Sequence, residues 1–290
     1  MTVLPAENAL AAAFQGLSWN PFADVRQLLL YHFMVNALVA GAAVAVTAGT
    51  IGWFVVLRRQ TFAGHTLALI AFPGAAAAAL AGLPLELGYF GSCGLGALAL
   101  AGVRPGNRSL ESAATGSLQA LALALGYLFV DRYHGLLSGL DSLLFGTFLG
   151  VTSGQVVVLL GVAGVALALL SAAWRPLLFA SIDPAAARAR GVPVRLLGLG
   201  FLLVLGLAVA ATSEITGALL VFALLVMPAA TAQRLTTRPA LGIALSAAIA
   251  LAVTWGGLVL AYSTVYPVGF YVTSLAFGLY VTVRLARRPC

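Results

Sequence analysis

The chain has 290 residues, 62% of them hydrophobic and 8% charged, with a mean hydropathy of +1.05 and a formal charge of +7. So few polar residues cannot cover a water-soluble surface. No phosphate-cradling glycine loop, metalloprotease spacing or nucleophile–base constellation is present either, which argues against an enzyme.

Residues 1–27 are mixed and only weakly basic, without the charged start and compact apolar core of a signal peptide, and form an N-terminal segment. A spanning helix takes about 20 apolar residues. On that scale the sequence predicts spans at 28–56, 66–83, 87–103, 113–130, 149–173, 194–212, 215–233, 240–262 and 268–283. The expected fold is all-α: a polytopic helical bundle of eight to nine spans over 28–285, with 286–290 as a cytoplasmic tail. Nine is preferred and puts the N-terminus outside. The junctions near Pro84 and near Ser213–Glu214 are very short. If one of those pairs is a broken or re-entrant element, the count falls to eight and the N-terminus moves inside.

Charge placement orients the bundle. All fifteen basic residues are arginines, and thirteen fall in every second connection: Arg58 and Arg59, Arg104 and Arg108, Arg175, Arg188, Arg190 and Arg195, Arg234 and Arg238, and Arg284, Arg287 and Arg288. The remaining connections hold Arg26 and Arg132 with six of the eight acids. Retained loops are rich in arginine, so the first set faces the cytoplasm and the chain is a multi-pass protein of the cell membrane. The same topology explains the net charge, and no nucleic-acid partner is expected. Cys93 and Cys290 fall in unlike environments, so neither a disulfide nor a metal pair is predicted. The 32 glycines, many flanked by alanine, suit close helix packing in lipid.

Several residues carry more specific expectations. Arg58-Arg59 anchors the first span, and the next span carries His65 near its start and the pair Pro73-Gly74 further on. Proline there removes a backbone hydrogen bond, and such breaks border cavities in membranes, so Pro73 and Gly74 are expected to break the helix, as is Pro228 later in the chain. In the loop 182–195, Asp183 can cap a short helix with Pro184 at its first position, Gly191 ends it and Pro193 starts the next span. With Arg188 and Arg190 on it, this helix has the form of a docking element for a soluble partner, against the plainer reading as a connector. Glu214 is either an intramembrane ligand or, in Ser213-Glu214-Ile-Thr, a cap for the following helix. His32, one turn from Asn36, reads as a pathway residue or a hydrogen-bonded structural histidine. Asp131, His134 and Asp141 lie in an outer loop.

Leu57–Gly74, Asp183–Arg195 and the block from Gly217 to Ala232 with its Leu-Leu-Val-Met-Pro-Ala-Ala-Thr-Ala run resemble the permease subunits of zinc- and manganese-type ABC importers, in order and spacing from about residue 28 to 285. The resemblance implies a permease homodimer forming one pathway, a pair of cytoplasmic ATP-binding subunits, and an extracytoplasmic metal-binding protein that delivers the ion. It also implies that 182–195 is the coupling helix and that ATP is hydrolysed on a separate chain. The family commonly reads Gly-Asp-Ala-Leu-Ser-His-Ala after the double arginine, with Asp and His as metal ligands. Here the stretch is Gly64-His65-Thr-Leu-Ala-Leu69, so His65 stands at the acid's position and Leu69 at the histidine's. Imidazole suits zinc better than manganese, which prefers oxygen donors. The function expected is therefore import of a divalent metal, zinc first and manganese next, with His65, Glu214 and His32 as metal or pathway residues. The ion is cargo, and no cofactor is bound permanently. The alternatives are a permease for a metal chelate or other small solute and, more remotely, an ion-coupled secondary transporter, which would carry inverted repeats and buried mid-bilayer charges.

Overall fold

A computed structural model describes residues 32–102, 108–132, 150–262, 264 and 266–286, and among these the chain is helical. The helices are α1 (His32–Leu57), α2 (Thr61–Leu80), α3 (Leu85–Gly102), α4 (Arg108–Arg132), α5 (Ser153–Ile182), α6 (Pro184–Ala189), α7 (Val194–Thr216), α8 (Ala218–Leu235), α9 (Pro239–Tyr262) and α10 (Val268–Ala286). Eight of them are long and apolar enough to cross a membrane, and α8 is a further, shorter apolar helix. The whole of the segment expected to be N-terminal, 1–27, and residues 287–290 lie outside the described residues.

Small residues set how the helices meet. Along α1 and α9, Gly242 leaves room for the Trp53 indole, Ser246 Oγ donates to Gly49 O (2.7 Å) and Trp255 Nε1 donates to Leu38 O (3.1 Å). These three contacts order α1 and α9 antiparallel. Helices α2 and α3 are antiparallel as well, with Leu67 against Gly96 and Gly74 against Gly88. Helix α4 runs parallel to α2, from Phe62 beside Gly116 to the Phe72 and Tyr127 rings 5.9 Å apart. Helix α5 lies parallel to α1, from Asn36 Nδ2 donating to Ser153 Oγ (3.2 Å) to Arg58 Nη1 donating to Ser181 Oγ (3.1 Å). One end of the bundle thus gathers Arg58, Arg190, Arg195 and Arg238, and the opposite end is poor in arginine. The core runs along α1, α2, α7 and α8, with Phe54, Leu67, Leu205 and Leu224 fully buried.

The helix breaks are not where proline predicts them. Pro73 and Pro228 both lie inside helices that continue past them, α2 to Leu80 and α8 to Leu235. Gly74 serves packing rather than a cavity: a Cβ there would overlap Ser92 Oγ and Gly88 O of α3. The break between α7 and α8 is instead at Gly217, whose φ of 75° and ψ of 155° only glycine adopts without strain. Gly217 is buried, so this reversal is made inside the protein and not in a surface loop. Ser213 and Glu214 lie within α7, and Gly217 itself is the residue that opens α8.

Candidate functional site

The turn between α1 and α2 positions the first candidate. Arg59 adopts φ 57°, and Gln60 N bonds back to Val55 O (2.9 Å), closing α1 in the manner of a left-handed C-terminal cap with arginine in place of the usual glycine. Helix α2 then starts at Thr61 and carries His65 just past its first turn. The His65 ring is half-buried and lies against Phe222 of α8, centroids 4.5 Å apart and planes tilted by 54°. Its Nδ1 is buried and has no hydrogen-bond partner among the described residues. A buried polar atom left without a partner is costly unless a ligand or water completes it, so this nitrogen is a chemically available donor site. One turn on, Leu69 is buried among apolar neighbours and offers no ligand.

The other candidates sit elsewhere. Glu214 is half-buried on α7 and accepts a hydrogen bond from Gln155 Nε2 (3.2 Å), at the arginine-poor end of α5. It does not cap α8, since the residue that opens α8 is Gly217, which makes no side-chain cap bond. Gln155 also closes a capping box on α5: Thr152 N donates to its Oε1 (3.1 Å), and its own backbone N–H donates to Thr152 Oγ1 (3.3 Å). One side chain therefore ties the start of α5 to the end of α7. His32 is exposed at the start of α1. The structure does not bring His32, His65 and Glu214 together, and among the described residues no three His, Cys, Asp or Glu side chains form a metal-sized cluster. Asp131 is exposed at the end of α4, while His134 and Asp141 lie outside the described residues.

The short helix α6 forms as its sequence signals direct. Asp183 Oδ1 accepts from Ala185 N (3.0 Å) and Ala186 N (2.9 Å), and Pro184 occupies the first turn. At its far end Gly191 turns with φ 79°, Val192 N returns to Ala187 O (3.0 Å), and Leu197 N bonds to Pro193 O (3.0 Å) to open α7. Ala187 faces inward, fully buried, and the Arg190 guanidinium lies 5.5 Å from the centre of the Phe179 ring on α5. Asp183, Pro184, Arg188, Arg190, Gly191 and Pro193 are all exposed, so α6 presents a rigid basic surface at the arginine-rich end.

Arg58 is the residue the sequence misrepresents. It does not reach out beside Arg59 as an anchor but folds inward, half-buried. Nε donates to Gln60 Oε1 (3.2 Å), Nη1 to Ser181 Oγ (3.1 Å), and the guanidinium stacks 5.1 Å from the Phe201 ring centre. Burial pulls its pKa below the ordinary arginine value. Nothing in a double arginine tells which of the two turns in.

Residues 30–287 match the family described as the ABC 3 transport family. The manganese transport system membrane protein MntC of Halalkalibacterium halodurans is 34% identical over 212 residues, 73% of this chain and 73% of that one. The protein of the same description from Listeria monocytogenes is 29% identical over 259 residues, 87% of this chain and 86% of its own. Among solved structures, PsaBC from Streptococcus pneumoniae in complex with Fab superposes with a TM-score of 0.80 at 26% identity, over 90% of this chain and 94% of that chain.

Proposed function

Since the chain belongs to the ABC 3 transport family, we propose that it is the membrane permease subunit of an ATP-driven importer for a divalent transition-metal ion. The observation that carries this reading is the pairing of that family match with the exposed, capped, basic helix α6, a preformed seat for a separate ATPase. Two copies of the chain enclose one pathway, a pair of ATP-binding subunits docks on α6 from the cytoplasm, and an extracytoplasmic metal-binding protein delivers the ion at the arginine-poor end. His65 lines that pathway: its buried, unpartnered Nδ1 is a donor, and each of two protomers contributes one.

Manganese is the ion we place first, because two relatives similar over most of this chain carry it in their names. Zinc is the second reading, favoured by the imidazole of His65 where the resembled permeases commonly carry a carboxylate. Uptake of radioactive manganese and zinc by proteoliposomes holding the permease, its ATPase and its binding protein distinguishes the two. Manganese should be imported in an ATP-dependent manner, with zinc competing, and His65→Ala should lower import of both while the complex still assembles. If neither ion enters, metal import by this chain is refuted. If the His65→Ala complex keeps its uptake rate and metal preference, the role of His65 is refuted instead.

A further inference from the structure

We infer that Arg58 is the mechanical link between the ATPase-docking helix and the helix that carries His65, a positioning residue and not a membrane anchor. The inference rests on the proposed function, since it gives α6 an ATPase to seat.

Helix α6 is suspended between the end of α5 and the start of α7, so any push on it reaches the membrane through those two flanks. Arg58 contacts both. Its Nη1 bonds Ser181, two residues before the Asp183 cap, and its plane stacks on Phe201, in the second turn of α7. On the same α7 face Gly198 leaves space for Nη2: a Cβ there would stand 3.6 Å from that nitrogen. The third contact, Nε to Gln60, is within the turn that leads into α2, and Gln60 immediately precedes the first residue of that helix. Gly64 N in turn bonds to Gln60 O (3.0 Å), one residue before His65.

The chemistry of the side chain fits the task. A guanidinium is planar and carries five donors in a fixed fork, so it can hold a hydroxyl, an amide oxygen and a ring face at once. A lysine offers a single point charge and cannot keep all three. The recorded partners of Arg58 are neutral, so the cation is placed there against a desolvation cost that hydrogen bonds must offset. Orientation in the membrane does not require this, because the neighbouring Arg59 is exposed and supplies the anchoring charge.

The test is the ratio of ATP hydrolysed to ion imported, measured on the reconstituted complex of permease, ATPase and binding protein. Arg58→Lys keeps the charge and loses the fork, while Ser181→Ala and Phe201→Leu each remove one partner and leave the arginine. Arg59→Gln serves as control. Complex assembly is followed by size-exclusion chromatography. The link predicts that Arg58→Lys raises ATP per ion on the order of tenfold, with assembly retained and smaller rises for the two partner variants. An unchanged ratio in an assembled Arg58→Lys complex overturns the inference. Should that variant fail to assemble, unchanged ratios in both Ser181→Ala and Phe201→Leu overturn it. A wild-type complex that imports no metal fails at the earlier step and removes the proposed function together with this link.

Discussion

Gly52 of α1 and Leu225 of α8 cross backbone against backbone: a methyl group on Gly52 would overlap the Leu225 carbonyl oxygen. Neither atom is the end of a flexible side chain, so one helix must move. Gly52→Ala should therefore lose about 1–3 kcal/mol of stability through overpacking. Gly94→Ala, with nothing within 4 Å of the added carbon, should be neutral or gain about 0.5–1 kcal/mol from helix propensity. Thermal melting of the two variants in detergent makes the comparison, and equal midpoints would contradict the crossing.

Gln155 uses its carbonyl oxygen for the α5 capping box and its amide for Glu214. Gln155→Glu keeps the first and sets a carboxylate against a carboxylate in the second. Gln155→Leu loses both. The glutamate variant should melt below wild type at neutral pH and recover as the pH is lowered and the acids protonate, whereas the leucine variant should be destabilised without that recovery. A glutamate variant whose melting shift does not depend on pH would show that Glu214 is not where the structure puts it.

The exit from α6 depends on Gly191 at φ 79°. A β-branched residue cannot adopt that conformation cheaply, whereas asparagine can. Gly191→Val should raise the ATP consumed per ion imported, and Gly191→Asn should be close to wild type. Asp183→Ala removes the two cap bonds and should cost the short helix about 1 kcal/mol. Its effect on coupling should lie between those of the two glycine variants. Normal coupling in Gly191→Val would mean that α6 is not a docking element.

Orientation can be read with a membrane-impermeant thiol reagent on chains in which Cys93 and Cys290 are replaced by alanine. Leu83, 53% exposed in the turn between α2 and α3, should react in intact cells when changed to cysteine. Thr237, exposed between α8 and α9, should react only after permeabilisation. The opposite pattern would invert the topology.

Hydropathy placed the eight helices of spanning length and the shorter α8 because each is an apolar run bounded by charge or glycine, and burial in lipid asks for little else. It misplaced boundaries where tertiary contact outweighs local signal. The fifth span was expected to stop at residue 173, before Arg175 and Pro176, yet α5 continues to Ile182 because Leu177 and Ala180 pack into the bundle and Ser181 meets α1. The reversal at Gly217 was not legible either, since one glycine among 32 does not announce a positive φ. The cap and stop signals of α6 were legible residue by residue, because each acts within a few positions of chain. The setting of His65 was not. Its contact with Phe222 joins residues 157 positions apart in the chain, and no spacing rule reaches that far.

The buried turn at Gly217 also bears on how the protein enters its membrane. Thr212 and Thr216 return their hydroxyls to their own helix, Thr212 Oγ1 to Ala208 O (2.7 Å) and Thr216 Oγ1 to Thr212 O (2.9 Å). Along the sequence from Thr212 to Phe222 the one ionisable residue is Glu214. With no hydrophilic loop to carry across, the two helices can be inserted together as one hairpin during synthesis. A peptide tag placed at residue 217 would separate what is delivered as a unit and would force polar chain into the interior of the bundle.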